Sequence, residues 1–86
     1  MKSRKKLASG TDFTEKELKK LGKRIKDLRS NKMGYSNYET FAFDHDMPRA
    51  QYGRYEQGQD LRYSSLIKVI RAFGMTKSEF FSEGFD

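Results

Sequence analysis

The residues whose types most suggest chemistry are Asp44, His45 and Asp46, because an imidazole between two carboxylates could transfer protons or hold a metal ion. Successive residues of a helix point about 100° apart, so three neighbours cannot converge on one ion. The pattern predicts a half-buried imidazole instead. His45 is the only histidine, cysteine is absent, and residues 56–59 lack the spacing and the preceding strand of a phosphate-binding loop. We therefore expect no enzyme activity, no metal site and no cofactor.

Two arginines offer a different chemistry. The guanidinium groups of Arg49 and Arg54 can each donate two hydrogen bonds from a planar fork, which matches O6 and N7 of guanine. On a helix, these arginines and Ala50 would lie on the side opposite Tyr52 and Tyr55. The pattern indicates a helix that is buried through its tyrosines and presents its arginines to a partner.

Capping boxes mark the starts of three helices. In each, a Ser or Thr is followed three residues later by Glu, and the pair satisfies free N–H groups of the first turn. The boxes are Thr14/Glu17, Ser36/Glu39 and Thr76/Glu79, and Phe13 with Leu18 and Met75 with Phe80 are placed as hydrophobic staples. A further helix is expected to begin at Pro48, because proline suits the first helical position.

Apolar stripes identify the buried sides of these helices. Spacings of three and four residues, typical of one helix face, connect Leu18, Leu21, Ile25 and Leu28, and again Tyr63, Leu66, Ile67, Ile70 and Phe73. The short second helix should bury Phe41 and Ala42. Asp46 is expected to reverse the chain in a left-handed conformation, and Gly58 and Gly74 to end helices. No segment alternates as a strand would, so the sequence predicts an all-α fold, a compact bundle of five helices.

Positive charge is concentrated in the first part of the chain. Residues 1–35 contain 12 Lys/Arg and 4 Asp/Glu, a net charge of +8, whereas residues 36–86 contain 6 and 8, a net charge of −2. Residues 1–11, with Lys2, Arg4, Lys5 and Lys6, are expected to form a flexible basic arm, and residues 12–86 the folded domain. A basic surface suits a phosphate-bearing partner, but a solubilising helix and a passive tail would give the same pattern.

The apolar clusters are too short to span a bilayer, and no apolar run follows the basic N-terminus. We therefore expect a cytoplasmic protein without a membrane partner. No small-molecule ligand is evident from the sequence.

Two short helices joined by a three- or four-residue turn form a helix-turn-helix motif, and residues 36–58 have this layout. Together with segments 25–29, 41–42, 55–58 and 66–81, in this order and spacing, the chain resembles the Cro and lambda-repressor-like (XRE-type) helix-turn-helix proteins over residues 20–82. The resemblance implies a five-helix bundle of the lambda-repressor-like type, whose second and third helices form the motif. It also implies a homodimer that docks its third helix in the major groove of double-stranded DNA. The expected function is transcription regulation, with repression by promoter occlusion as the simplest form.

The resemblance also assigns roles to individual residues. Base-reading residues would be Arg49, Ala50, Gln51 and Arg54. DNA-backbone contacts would come from Asn37, Tyr38, Gln57, Gln59 and Arg62. Arg29 and Glu56 would form a structural ion pair. Four positions depart from the family pattern, namely His45, Asp46, Pro48 and Gly53. Gly53 lies inside the reading helix, where it would either allow close approach to the DNA backbone or simply be tolerated.

A protein-interaction module, such as an antitoxin-like partner-binding protein, is the alternative. The aromatic C-terminal residues Phe80, Phe81 and Phe85 motivate it. Phe80 is expected in the core. Phe81 and Phe85 would either seal the bundle or form a dimer contact.

Overall fold

A computed structural model describes the backbone of residues 6–86 and the side chains of residues 12–86. Over this part of the chain the protein is all-helical, with no strand. The elements are α1 (Lys6–Asp27), which continues into a π-helical segment (Leu28–Lys32), α2 (Tyr38–Asp44), α3 (Arg49–Glu56), α4 (Tyr63–Ala72) and α5 (Lys77–Phe80). The predicted all-α class and five helices are confirmed for these residues. Residues 1–5 of the expected basic arm lie outside the described residues.

The start of α1 differs from the sequence prediction. The helix begins at Lys6, so residues 6–11 of the expected arm are helical and Thr14 lies inside the helix rather than at its start. The predicted staple does not form, since Phe13 is 63% exposed. No proline interrupts residues 6–13, so the backbone N–H groups around Thr14 can donate hydrogen bonds to carbonyls of the preceding helical turn. A capping pattern alone could not exclude this continuation.

The starts of the other helices follow the predicted chemistry with small shifts. Asn37, not Ser36, caps α2, because its side-chain oxygen accepts a hydrogen bond of 2.9 Å from the backbone N–H of Thr40. Pro48 is itself the N-cap of α3. The capping box of Thr76 and Glu79 at α5 is confirmed. The backbone N–H of Thr76 donates to the Glu79 carboxylate and lowers its pKa.

Three helices end in the same way. Residues in the left-handed conformation follow α2, α3 and α4, namely Asp46 (φ 58°), Gly58 (φ 98°) and Gly74 (φ 70°). In each case the next N–H donates to a carbonyl five residues back: Met47 to Ala42 at 2.8 Å, Gln59 to Arg54 at 3.0 Å and Met75 to Ile70 at 3.4 Å. This is the Schellman arrangement, which satisfies carbonyls at a helix end. All three terminations agree with the sequence prediction.

Phe41 occupies the centre of an aromatic core. Its ring lies 5.2 Å from Tyr52 and 5.3 Å from Phe73, measured between centroids. The largest fully buried side chains are those of Tyr52, Phe41, Phe73, Phe80, Ile25, Ile70 and Val69. The prediction for Tyr63 is wrong: it is 63% exposed, because the buried stripe of α4 runs through Leu66, Val69, Ile70 and Phe73 and leaves the first residue outside.

Candidate nucleic-acid interface

α2 and α3 pack against each other through a tyrosine that covers a glycine. A Cβ atom added at Gly53 would lie 2.5 Å from Cε1 of Tyr38, which is closer than two non-bonded carbon atoms can approach. The Tyr38 ring also lies 6.4 Å from that of Tyr52, measured between centroids. Gly53 is therefore buried in the α2–α3 contact, where it makes room for the Tyr38 ring. The sequence suggested two explanations for Gly53, close approach to the DNA backbone or simple tolerance, and neither included this packing role.

The outward side of α3 carries all four expected base-reading residues. Arg49, Ala50, Gln51 and Arg54 are exposed, whereas Tyr52 (0% exposed) and Tyr55 (7%) face the core. The side chains of Arg49 and Arg54 make no hydrogen bond or ion pair with the described residues. Both guanidinium groups are therefore free to bind a partner.

A shallow groove of about 410 Å³ runs between α2 and the start of α3. It is lined by Asn37, Glu39, Thr40, Phe43 and Arg49. Phe43 is 71% exposed, which the sequence analysis did not anticipate. A helical projection would have found it, since Phe43 lies three and four residues after the polar Thr40 and Glu39 and therefore on the same face.

The expected DNA-backbone contacts fall at both ends of the motif. Asn37 and Tyr38 are at the N-terminus of α2, where Asn37 is exposed and Tyr38 is half-buried. Gln57, Gln59 and Arg62 are exposed in the segment after α3. Asn37 lines the groove beside Arg49, whereas Gln57 lines a second groove beside α1.

The ion pair between Arg29 and Glu56, which the resemblance implies, is present. Nε and Nη2 of Arg29 donate to the two carboxylate oxygens of Glu56 at 3.0 and 2.7 Å, and Nη1 donates to the carbonyl of Tyr35 at 2.9 Å. The side chains are only 6% and 7% exposed. The hydrogen bonds to Glu56 raise the pKa of Arg29. This bidentate pair ties the end of α3 to the segment that follows α1.

The hydroxyl of Tyr52 is buried and has no hydrogen-bond partner among the described residues. Its burial, and next the negative charge of Glu56, raise the pKa of Tyr52. The phenol therefore stays neutral, and it adds no second charge near the buried ion pair.

Gly22 sets the approach of α1 to α3. A Cβ atom at this position would lie 2.8 Å from the carbonyl oxygens of both Tyr55 and Glu56. These are backbone atoms, which cannot move as a side chain can. Sequence reasoning missed Gly22, because a glycine between helix-forming residues indicates a close contact without naming its neighbour.

The side chains of Asp44, His45 and Asp46 do not converge. The Asp44 carboxylate accepts a hydrogen bond of 2.8 Å from the hydroxyl of Tyr35, which raises the pKa of Tyr35. The half-buried His45 ring lies 4.5 Å from the ring of Phe41, measured between centroids. The carbonyl of Asp46 accepts from Lys68 at 2.9 Å. These contacts give the three residues structural roles around the turn between α2 and α3.

The C-terminal aromatic residues form one packed cluster. Phe80 is fully buried, and the rings of Phe81 and Phe85 lie 4.9 and 5.9 Å from it, measured between centroids. Phe85 is half-buried against the core, whereas Phe81 is 44% exposed. Both residues therefore help to close the bundle in the single chain.

No helix in the described part of the chain is both long and apolar enough to cross a membrane. Comparisons with family models, with curated proteins and with solved structures give no match. The resemblance to Cro and lambda-repressor-like proteins therefore rests on the residues quoted above.

Proposed function

We propose that this protein binds double-stranded DNA sequence-selectively, with α3 in the major groove. The observation that supports this most directly is the outward face of α3. Arg49 and Arg54 are exposed there and their side chains have no hydrogen-bond or ion-pair partner among the described residues, while Tyr52 and Tyr55 hold the opposite face in the core. A bidentate arginine contact to guanine contributes about 1–3 kcal/mol of discrimination between bases.

The surroundings of α3 suit this role. The Arg29–Glu56 pair and the close approach at Gly22 fix its C-terminal end, and the Tyr38–Gly53 contact fixes its middle. A rigidly held helix loses little conformational entropy on binding. Polar residues at the two ends of the motif, Asn37 before α2 and Gln57 after α3, would contact phosphates on either side of α3.

The biological role that follows is transcription regulation. The simplest form of repression would be occupation of a promoter by a homodimer on a two-fold site. The arrangement of α2 and α3 around a short turn supports this proposal together with the sequence resemblance.

The alternative is a module that binds another protein. The exposed ring of Phe43 favours it, since an aromatic side chain that is 71% exposed would contribute favourable burial free energy if a partner covered it. Phe43 lies in the same groove as Arg49, so both functions would use one surface.

Selection of bound sequences from a random duplex pool distinguishes the two functions. The parent should enrich one motif, whereas the variant with both Arg49→Ala and Arg54→Ala should lose the motif and keep weaker, salt-dependent binding. The control combines Lys32→Ala with Arg71→Ala, which removes the same charge from exposed positions outside α3 and should retain the motif.

An unchanged motif in the arginine variant would disprove base reading by α3. A parent that selects no motif but retains one protein partner, which it loses on Phe43→Ser, would establish the alternative.

A further inference from the structure

We propose that Lys19 and Lys26 of α1 form a second DNA-contacting surface that binds phosphates next to the C-terminal end of α3. This inference depends on the proposed function and extends its surface to a helix outside the helix-turn-helix motif. The surface is called the α1 lysine surface below.

The position of the α1 lysine surface is fixed by two glycines. Gly22 brings the backbone of α1 against the carbonyls of Tyr55 and Glu56. From the other side, a Cβ at Gly58 would lie 3.4 Å from Cγ of Lys19. The stem of Lys19 therefore passes directly over Gly58, two residues after the end of α3.

A shallow groove of about 440 Å³ joins this part of α1 to the end of α3. Its lining consists of Lys19, Lys23, Lys26, Asp27, Glu56 and Gln57. Gln57 is one of the expected DNA-backbone contacts, so the lysines border the site where a phosphate is already expected.

Charge pairing separates Lys19 and Lys26 from the other lysines of α1 whose side chains the structure describes. Lys16 pairs with Asp12 at 3.2 Å, Lys20 with Glu17 at 2.9 Å and Lys23 with Asp27 at 2.8 Å. Lys19 and Lys26 are exposed and form no ion pair with the described residues.

The acidic groups of the groove do not compensate these two lysines. Glu56 is bound by the buried Arg29, and Asp27 is bound by Lys23. The groove therefore keeps the positive charge of Lys19 and Lys26, which an anion of matching spacing could neutralise.

The spacing suits a DNA strand. Seven residues separate Lys19 and Lys26, which corresponds to about 10 Å along a helix that rises about 1.5 Å per residue. Because each ammonium group ends a flexible four-carbon stem, the two groups can each reach a different phosphate of one DNA strand.

The test measures binding of a selected duplex and of an unrelated duplex over a range of salt concentrations. Replacing both lysines with glutamine should weaken binding to both duplexes equally, by about eightfold per lysine near 0.1 M salt, and reduce the salt slope by about two. Replacing both with arginine should retain parental affinity. Lys32→Gln with Arg71→Gln is the matched control, since both side chains are exposed and neither lines the groove between α1 and the end of α3.

An unchanged salt slope in the Lys19/Lys26 glutamine variant would overturn the α1 lysine surface, as would an equal loss in the control. Suppose that the variant with Arg49→Ala and Arg54→Ala lost the selected motif while the variant with Lys19→Gln and Lys26→Gln kept full affinity. Only this inference would then fail. If the parent bound neither duplex, both the proposed function and this inference would fail. Thermal unfolding monitored by circular dichroism would show whether each variant is folded.

Discussion

Gly53 lies in α3 of the proposed interface, and the close packing of α2 against α3 depends on its lack of a side chain. Within a helix, glycine is about 1 kcal/mol less favourable than alanine, so its presence in α3 has a local cost. The Tyr38 ring occupies the space that a side chain would need. Because this ring belongs to α2, Gly53 determines how closely the two helices pack.

We predict that Gly53→Ala reverses its effect on stability when Tyr38 is removed. In the parent, the new methyl group must displace the Tyr38 ring, and overpacking costs of about 1–3 kcal/mol outweigh the gain in helix propensity. We expect the free energy of unfolding in urea to fall by about 1 kcal/mol. In a Tyr38→Ala background, the same substitution should raise it by about 1 kcal/mol, because only the propensity gain remains.

Tyr38→Phe provides the control for this cycle, because it keeps the ring and removes the hydroxyl. Gly53→Ala should destabilise the Tyr38→Phe protein as much as the parent. Equal effects of Gly53→Ala in the parent and in the Tyr38→Ala background would show that the ring is not the obstacle.

At the scale of elements, the end of α3 is held by one buried ion pair and one backbone contact. Arg29 and Glu56 form a bidentate pair with side chains 6% and 7% exposed, and Gly22 lets α1 approach the carbonyls beside it. A buried pair is costly to break, because removing one partner leaves an uncompensated charge without water.

We predict that Glu56→Leu lowers the free energy of unfolding by about 3–5 kcal/mol, since the buried Arg29 charge then has no carboxylate. The double variant Arg29→Met with Glu56→Leu removes both charges and should be more stable than Glu56→Leu alone. Urea unfolding at neutral pH measures both. Asp27→Asn breaks the exposed pair with Lys23 and should cost only about 0.5 kcal/mol. Additive losses in the double variant would contradict this account of the buried pair.

Sequence reasoning predicted the elements where the signal is local. The left-handed residues Asp46, Gly58 and Gly74 and the capping box of α5 depend on a few neighbours in the chain, and the structure contains all of them. Sequence reasoning failed where a residue is compatible with two structures. Thr14 could cap a helix, but it lies within α1 instead. Asn37 and Ser36 are both capping residues, so the choice between them required the structure.

Long-range packing was the second limit. The role of Gly22 depends on carbonyls more than thirty positions away, and that of Gly53 on a ring from another helix. The Arg29–Glu56 pair was available only through the family resemblance, because neither spacing nor composition connects these residues. The outward face of α3 was predictable, since two buried tyrosines fix its opposite side.

At the scale of the whole molecule, the excess positive charge and the proposed base-reading residues lie in different parts of the chain. Residues 1–35 carry a net charge of +8, whereas residues 36–86, which contain all of α3, carry −2. The proposed base-reading arginines therefore lie in the acidic part of the chain, and general attraction to phosphate must come from the first part. Variants of the two parts should have different signatures, because phosphate contacts set salt dependence while base contacts set sequence preference.

We predict that replacing Lys2, Arg4 and Lys5 with serine reduces the salt slope of DNA binding by about one to three without changing the selected sequence. A basic segment joined to a DNA-bound domain is held at high local concentration, and each phosphate it neutralises contributes about 0.9 to the slope. Replacing Ser3 and Ser9 with alanine, which leaves the charge unchanged, should keep the parental slope. An unchanged slope in the three-serine variant would identify residues 1–5 as a passive tail, and a changed motif would mean that they also read bases.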